Sequence, residues 1–189
     1  MASERKEKGC LKHSIRRTEA ELVLSSLYGS DTARREAFSA LVTRYESVVR
    51  ALLNSLCSNS AVADELAQET FITAWLELAR LREPGKFLPW VKQIAYRKFL
   101  HVARRQKLER LHFADVTVEP AAEDNCSDLD RLLESCGPNE KELLVLVYGF
   151  GFTIRELAEA RDQPDGTIKS ALSRAKARIR KHLEVNADG

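Results

Sequence analysis

Three groups of side chains in this sequence concentrate charge closely enough to do chemistry, and the chemistry is that of binding rather than bond-making. Residues 97–110 carry six bases (Arg97, Lys98, Arg104, Arg105, Lys107, Arg110) against one acid, Glu109. Residues 167–182 carry six more (Lys169, Arg174, Lys176, Arg178, Arg180, Lys181) and no acid. Side chains of this kind neutralise phosphates, and Lys or Arg can also read guanine acceptors in a major groove. The third group is acidic: Asp64, Glu65, Gln68 and Glu69 fall at i, i+1, i+4 and i+5, one face of a helix suited to a basic partner. Nothing comparable points to catalysis. The four histidines (13, 101, 112, 182) are scattered, and no Ser/His/Asp, Cys/His or metal-ligand spacing emerges. Cys10-x-x-His13 has no second ligand pair, so no metal or cofactor is expected, and the four cysteines show no framework spacing, as suits a reducing compartment.

The elements that position these groups read as helices. Leu22, Leu27, Phe38, Leu41, Val42, Tyr45, Val48, Val49, Leu52, Leu53 and Leu56 recur mostly at three- and four-residue steps. Gly29-Ser30-Asp31 breaks the series, and Cys57-Ser58-Asn59-Ser60 ends it. A helix from about Ala61 to Leu81 aligns Ala67, Phe71, Ala74, Trp75, Leu78 and Leu81. Pro84-Gly85 stops it, and Pro89 suits a first helical turn. From Trp90 to Leu108 another helix turns Val91, Ile94, Ala95, Phe99 and Val102 inward. Residues 109–127 lose this periodicity and turn polar, and 111–128 hold five acids (Asp115, Glu119, Glu123, Asp124, Asp128) with no Lys or Arg. A compact domain seldom hides so long a structureless stretch, which divides the chain in two.

Helical pattern resumes at Leu129, breaks at Gly137-Pro138, and leads to Thr153-x-x-Glu156, a capping-box arrangement. That helix ends by Asp162, Pro164-Asp165-Gly166 turns the chain, and Thr167 opens a helix with Ile168, Leu172, Ala175, Ile179 and Leu183 inside. Two short helices across a tight turn, the second basic outside, describe a helix-turn-helix. Its outer face presents Thr167, Lys169, Ser170, Ser173, Arg174 and Lys176. The whole pattern predicts an all-α protein: a basic tail over 1–17 expected to be disordered, a helical bundle over 18–108, a flexible acidic linker over 109–127, and a helix-turn-helix domain over 128–185.

At these residues the chain resembles the extracytoplasmic-function (ECF) sigma factors of the sigma-70 family. Thr153-x-x-Glu156-Leu-Ala-x5-Pro164-x-Gly166-Thr-Ile-Lys-Ser-x-Leu-x-Arg174-Ala is similar to the family's second domain, which recognises the −35 promoter element. Ala63-Asp-Glu-Leu-Ala-Gln-Glu-Thr-Phe71 resembles the segment that docks on the polymerase clamp. Phe87-Leu-Pro-Trp90-Val-x-x-Ile94-Ala95 with Arg104-Arg105 is similar to the helix that contacts the −10 element. Arg97 and His101 stand where the family often has Asn and Asp or Asn, and Ala171 where it often has Arg, which implies one −35 contact fewer.

The resemblance implies a non-catalytic initiation subunit. Asp64, Glu65, Gln68 and Glu69 would bind core RNA polymerase. Lys86, Phe87, Trp90, Arg97, Lys98, His101, Arg104 and Arg105 would bind promoter DNA near −10, with the loop from Leu81 to Phe87 capturing an unstacked base. It also implies a stress or environmental response under an anti-sigma factor. The expected location is cytoplasmic, with that partner able to hold the chain at the inner membrane face, since no apolar run here is long enough to span a bilayer. Two other classes fit parts of the pattern: a stand-alone repressor using only the helix-turn-helix, and a sigma mimic that sequesters an anti-sigma factor. The mimic should lack basic DNA faces, and this chain has two.

Overall fold

The chain, seen in a computed structural model, is described over residues 17–112, 133 and 135–187, which form helices joined by turns and short irregular links, with no strand among them. The tail with Cys10 and His13 and the linker from 113 onward lie outside the described residues. Two units separate between Phe99 and Leu100. No helix among the described residues is long and apolar enough to cross a membrane.

The first unit begins with α1 (Glu19–Tyr28), whose start is fixed by Thr18: its hydroxyl accepts from Glu21 N–H, and the Glu21 carboxylate accepts from the Thr18 N–H. Hydrogen bonds to its carboxyl, first from the Thr18 backbone N–H and then from the Thr18 side chain, hold Glu21 below the usual carboxylate range. Gly29 closes α1 because a Cβ there would sit 2.6 Å from the Ser25 carbonyl oxygen. Helices α2 (Asp31–Leu56) and α3 (Ser60–Glu77) follow, then 3₁₀ turns at Leu78–Arg80 and Pro84–Lys86. The core is aliphatic: Leu22, Leu41, Val49, Leu52 and Leu53 are fully buried, each stabilising the fold by about 1.5–3 kcal/mol relative to exposure. Arg34 brackets its neighbours, donating to the Ser26 carbonyl at 3.0 Å and covering the Trp75 ring at 5.7 Å.

Helix α4 (Phe87–His112) begins three residues earlier than the apolar pattern suggests and runs on to His112, so residues 109–112 are helix rather than linker. The reason for the early start is an aromatic cluster. The Phe87 ring lies 6.2 Å from Phe38, 5.9 Å from Tyr45 and 5.9 Å from Trp90.

In the second unit, α5 (Pro138–Leu144) runs into a π turn (Val145–Gly149), and α6 (Ile154–Arg161) into α7 (Asp165–Ala187). Thr153 caps α6 as its spacing with Glu156 requires. Asp162 ends α6 in the left-handed region (φ 57°), a conformation that Asp tolerates better than most residues. Helix α7 starts at Asp165, two residues before the expected Thr167, so Gly166 and Thr167 form its first turn. Buried Leu143, Leu146, Phe152, Leu157, Ile168 and Leu172 make this core. Arg161 bonds α6 to α5, 2.7 Å from Glu142 and in contact with Asn139, its side chain only 8% exposed.

Candidate nucleic-acid interface

Along α4, Trp90, Arg97, His101, Arg104 and Arg105 recur at seven, four, three and one residue steps, which is one face of the helix. The four polar members are exposed and Trp90 is partly exposed. A duplex laid on this face would meet cationic groups along its length and an indole at the helix start. Lys98, one residue off the stripe, does otherwise. Its Nζ lies 3.0 Å from Glu69 Oε2, and its side chain is only 25% exposed, so it is turned toward α3 rather than outward.

That pair also alters the acidic face of α3. Glu69 is held by Lys98, and Asp64 lies 3.5 Å from Arg50. Glu65 and Gln68 are exposed between them, and the stripe continues into Ile72 and Leu76, 60% and 75% exposed. The face is therefore half polar and half apolar, a feature the acidic motif alone does not reveal.

Phe87 requires a correction. As an exposed base-capturing ring it fails, because it is completely buried among Phe38, Tyr45 and Trp90. Its backbone is held too: the Phe87 N–H donates to Glu19 Oε1 at 2.9 Å, while Glu19 Oε2 accepts from the Tyr45 hydroxyl. Burial, followed by the Glu19 bond, pushes the Tyr45 phenol up to about 12. Lys86 is exposed and paired 2.8 Å from Glu83, an exposed pair of the kind that contributes little to stability.

In the second unit α7 presents Thr167, Lys169, Ser170, Ser173, Arg174 and Lys176, all exposed. Ser170 back-bonds to the Thr167 carbonyl at 3.0 Å, and Lys176 Nζ sits 5.2 Å from the centre of the Tyr148 ring. Ala171 is 3% exposed, so that position faces the bundle and its side chain is not a missing groove contact. Arg174 is the more informative departure. Its Nε lies 3.7 Å from Glu140 on α5, so the side chain is guided by a neighbour rather than projecting alone. Sequence reading overlooked Glu19 and Glu140 because each acts on residues distant in the chain. The only local sign is an acidic residue in the first turn of a helix.

The Sigma-70 region 2 model matches residues 41–109 and the Sigma-70 region 4 model residues 127–179, in that order and together over more than half of the chain. The chain belongs to the sigma-70 family. Within it, α3 lies inside region 2 and α4 runs three residues past its end, while α5 to α7 fall in region 4, α7 likewise running past its end. Members of this family are non-catalytic subunits of transcription initiation. The chain is 30% identical over 164 residues to "Probable RNA polymerase sigma factor RfaY" of Xanthomonas campestris pv. campestris, covering 79% of this chain but 41% of that protein. It is 27% identical to the ECF RNA polymerase sigma factor SigE of Mycolicibacterium smegmatis, covering 81% of this chain and 64% of the relative. The ECF RNA polymerase sigma-E factor of Haemophilus influenzae is also 27% identical, at 79% and 89%. Thus the chain spans under two thirds of the first two relatives and most of the third. Among solved structures, the sigma factor RpoE in complex with the anti-sigma factor NepR from Bartonella quintana matches with TM-score 0.60 and 25% identity, over 78% of this chain and 97% of that one. CnrH in complex with the cytosolic domain of CnrY shares the fold, at TM-score 0.57 and 21% identity, over 88% and 97%.

Proposed function

We propose that this chain is an ECF-type initiation factor that carries core RNA polymerase to a set of promoters and helps open them. The observation that carries this reading is the pairing of two sigma-70 regions, in family order, with an exposed basic face on each of α4 and α7. Phosphate contacts would supply affinity and register, and base-edge contacts the sequence preference. Glu65 and Gln68, with Asp64 and Glu69 beside them, would dock on the polymerase. The stripe from Trp90 to Arg105 would hold the −10 region, and α7 the −35 element.

Resemblance to a sigma factor solved with an anti-sigma factor supports control by such a partner. Its regulation would answer a stress or environmental signal. A cytoplasmic site, with the chain held at the inner membrane face by that partner, follows from the same reading. Pull-down from uninduced cells would recover an anti-sigma factor with the chain, whereas recovery of polymerase alone would count against sequestration. A repressor would bind its operator in a gel shift without polymerase. The proposed factor needs polymerase for specific binding, because each face alone offers few contacts to offset the ordering cost of association.

A further inference from the structure

Glu140 is an acidic side chain with unusually little solvent: it stands in the first turn of α5, and its side chain is 10% exposed. A buried carboxylate is costly unless charges and hydrogen bonds surround it. Part of its environment is local. Glu140 Oε2 accepts the Gly137 N–H at 3.1 Å, closing the first turn of its own helix. The rest comes from α7, where Arg174 Nε lies 3.7 Å from Oε1 and Arg178 NH1 3.4 Å from Oε2. Arg174 and Arg178 are one helical turn apart, so one carboxylate addresses both from the side of the helix.

The atoms involved matter. A guanidinium is a planar fork, and reading guanine in a bidentate manner uses two N–H groups in that plane. At Arg174 the atom facing Glu140 is Nε, which leaves the two terminal nitrogens at the far end of a side chain 61% exposed. At 3.7 Å the contact is an ion pair and not a hydrogen bond, so the fork can advance toward a base without breaking one.

We propose that Glu140 is a positioning residue for promoter recognition: it holds the plane of Arg174 so that the terminal nitrogens face a guanine edge. The inference rests on the reading of α7 as the −35 recognition helix. It differs from a purely structural role in what it affects. A structural carboxylate sets stability and weakens every promoter alike, whereas a positioning carboxylate sets the ratio between promoters.

The test uses the full chain with core polymerase and a promoter selected by the wild-type holoenzyme from a library randomised at −35. The readout is transcription from that promoter divided by transcription from versions with each guanine of the element replaced. Glu140→Gln keeps an acceptor for the Gly137 N–H but removes the charge. Arg174→Ala should lower the ratio roughly tenfold at one guanine, the scale of one bidentate contact. Glu140→Gln should lower it at the same guanine, and the double variant should fall no further than Arg174→Ala alone. Arg178→Ala, which leaves the Glu140–Arg174 pair in place, should keep the ratio. A wild-type ratio in Glu140→Gln beside a collapsed ratio in Arg174→Ala would overturn the positioning role and leave the recognition helix standing. Multiplicative losses in the double variant would do the same. A wild-type holoenzyme that transcribes the whole library equally would overturn both. Should Glu140→Gln melt early, Glu140→Asp, which keeps the charge, must restore the ratio for the proposal to hold.

Discussion

The carboxylate of Glu19 accepts the backbone N–H of Phe87 at 2.9 Å, across 68 residues of sequence. Glu19 opens α1, and Phe87 opens α4, so the start of the first helix among the described residues caps the start of the helix that carries the basic stripe. The same carboxylate takes the Tyr45 hydroxyl, which joins α2 to the arrangement. Glu19→Ala should cost about 1–3 kcal/mol, the range of a lost cap plus a charge-assisted bond. Glu19→Gln should recover most of it, because an amide oxygen can still accept from Phe87. Thermal melting of the two variants separates these outcomes; equal melting points for Glu19→Ala and wild type would remove the cap from the account.

Tyr45 gives the pH dependence. Its phenol is raised to about 12 by burial and by Glu19, so the protonated form is favoured in the folded chain. The stabilisation is therefore fully present below the ordinary tyrosine range, near 10, and is lost as pH rises toward 12. Ultraviolet titration of tyrosinate should show a late component that disappears in Tyr45→Phe. If the variant titrates like the wild type, the late component belongs to another tyrosine.

The α3 face proposed to dock on polymerase makes a sharper prediction because Glu69 is bonded to Lys98. Glu65→Lys should weaken binding to core polymerase with no change in melting temperature, since Glu65 is exposed. Glu69→Lys should weaken binding and also lower the melting temperature, by the few degrees that about 1 kcal/mol produces in a domain of this size. Competition for core against a labelled sigma factor, run beside a melt, reads both. Normal assembly by Glu65→Lys would place the docking face elsewhere.

How much of this was legible in the sequence follows from the range of the interactions. Capping at Thr153 was readable because the partner is three residues away, and so was the breaker at Gly29. The apolar periods placed most helices for the same reason. Phe87 was misread because the Pro84–Pro89 stretch looks like a loop, while the partners that bury its ring, Phe38 and Tyr45, lie on α2. Lys98 and Arg174 looked like outward cations for a similar reason: the carboxylates that address them, Glu69 and Glu140, sit on other helices. Ala171 likewise appeared to lack a groove contact, and only packing shows that its position faces inward.

Promoter opening should depend on Trp90 and not on Phe87. Phe87→Ala removes a fully buried ring and should destabilise the first unit by about 3–5 kcal/mol. Trp90, partly exposed at the head of the basic stripe, can stack on an unpaired base, a contact that contributes about 1–3 kcal/mol. Trp90→Leu should therefore keep the closed complex and slow strand opening roughly tenfold. Permanganate footprinting of unpaired thymines measures it. Unchanged opening in a folded Trp90→Leu would assign the indole to packing alone.

The central claim, that the chain directs polymerase to promoters, is tested most directly by in vitro transcription with core bacterial RNA polymerase and a promoter library. The account predicts that transcripts arise only when the chain is added, from a subset of templates sharing paired −35 and −10 elements. Output should fall steeply as salt rises, because both elements are held through phosphates. Transcription no greater than that of core alone, from a chain that binds the same DNA specifically without polymerase, would contradict it.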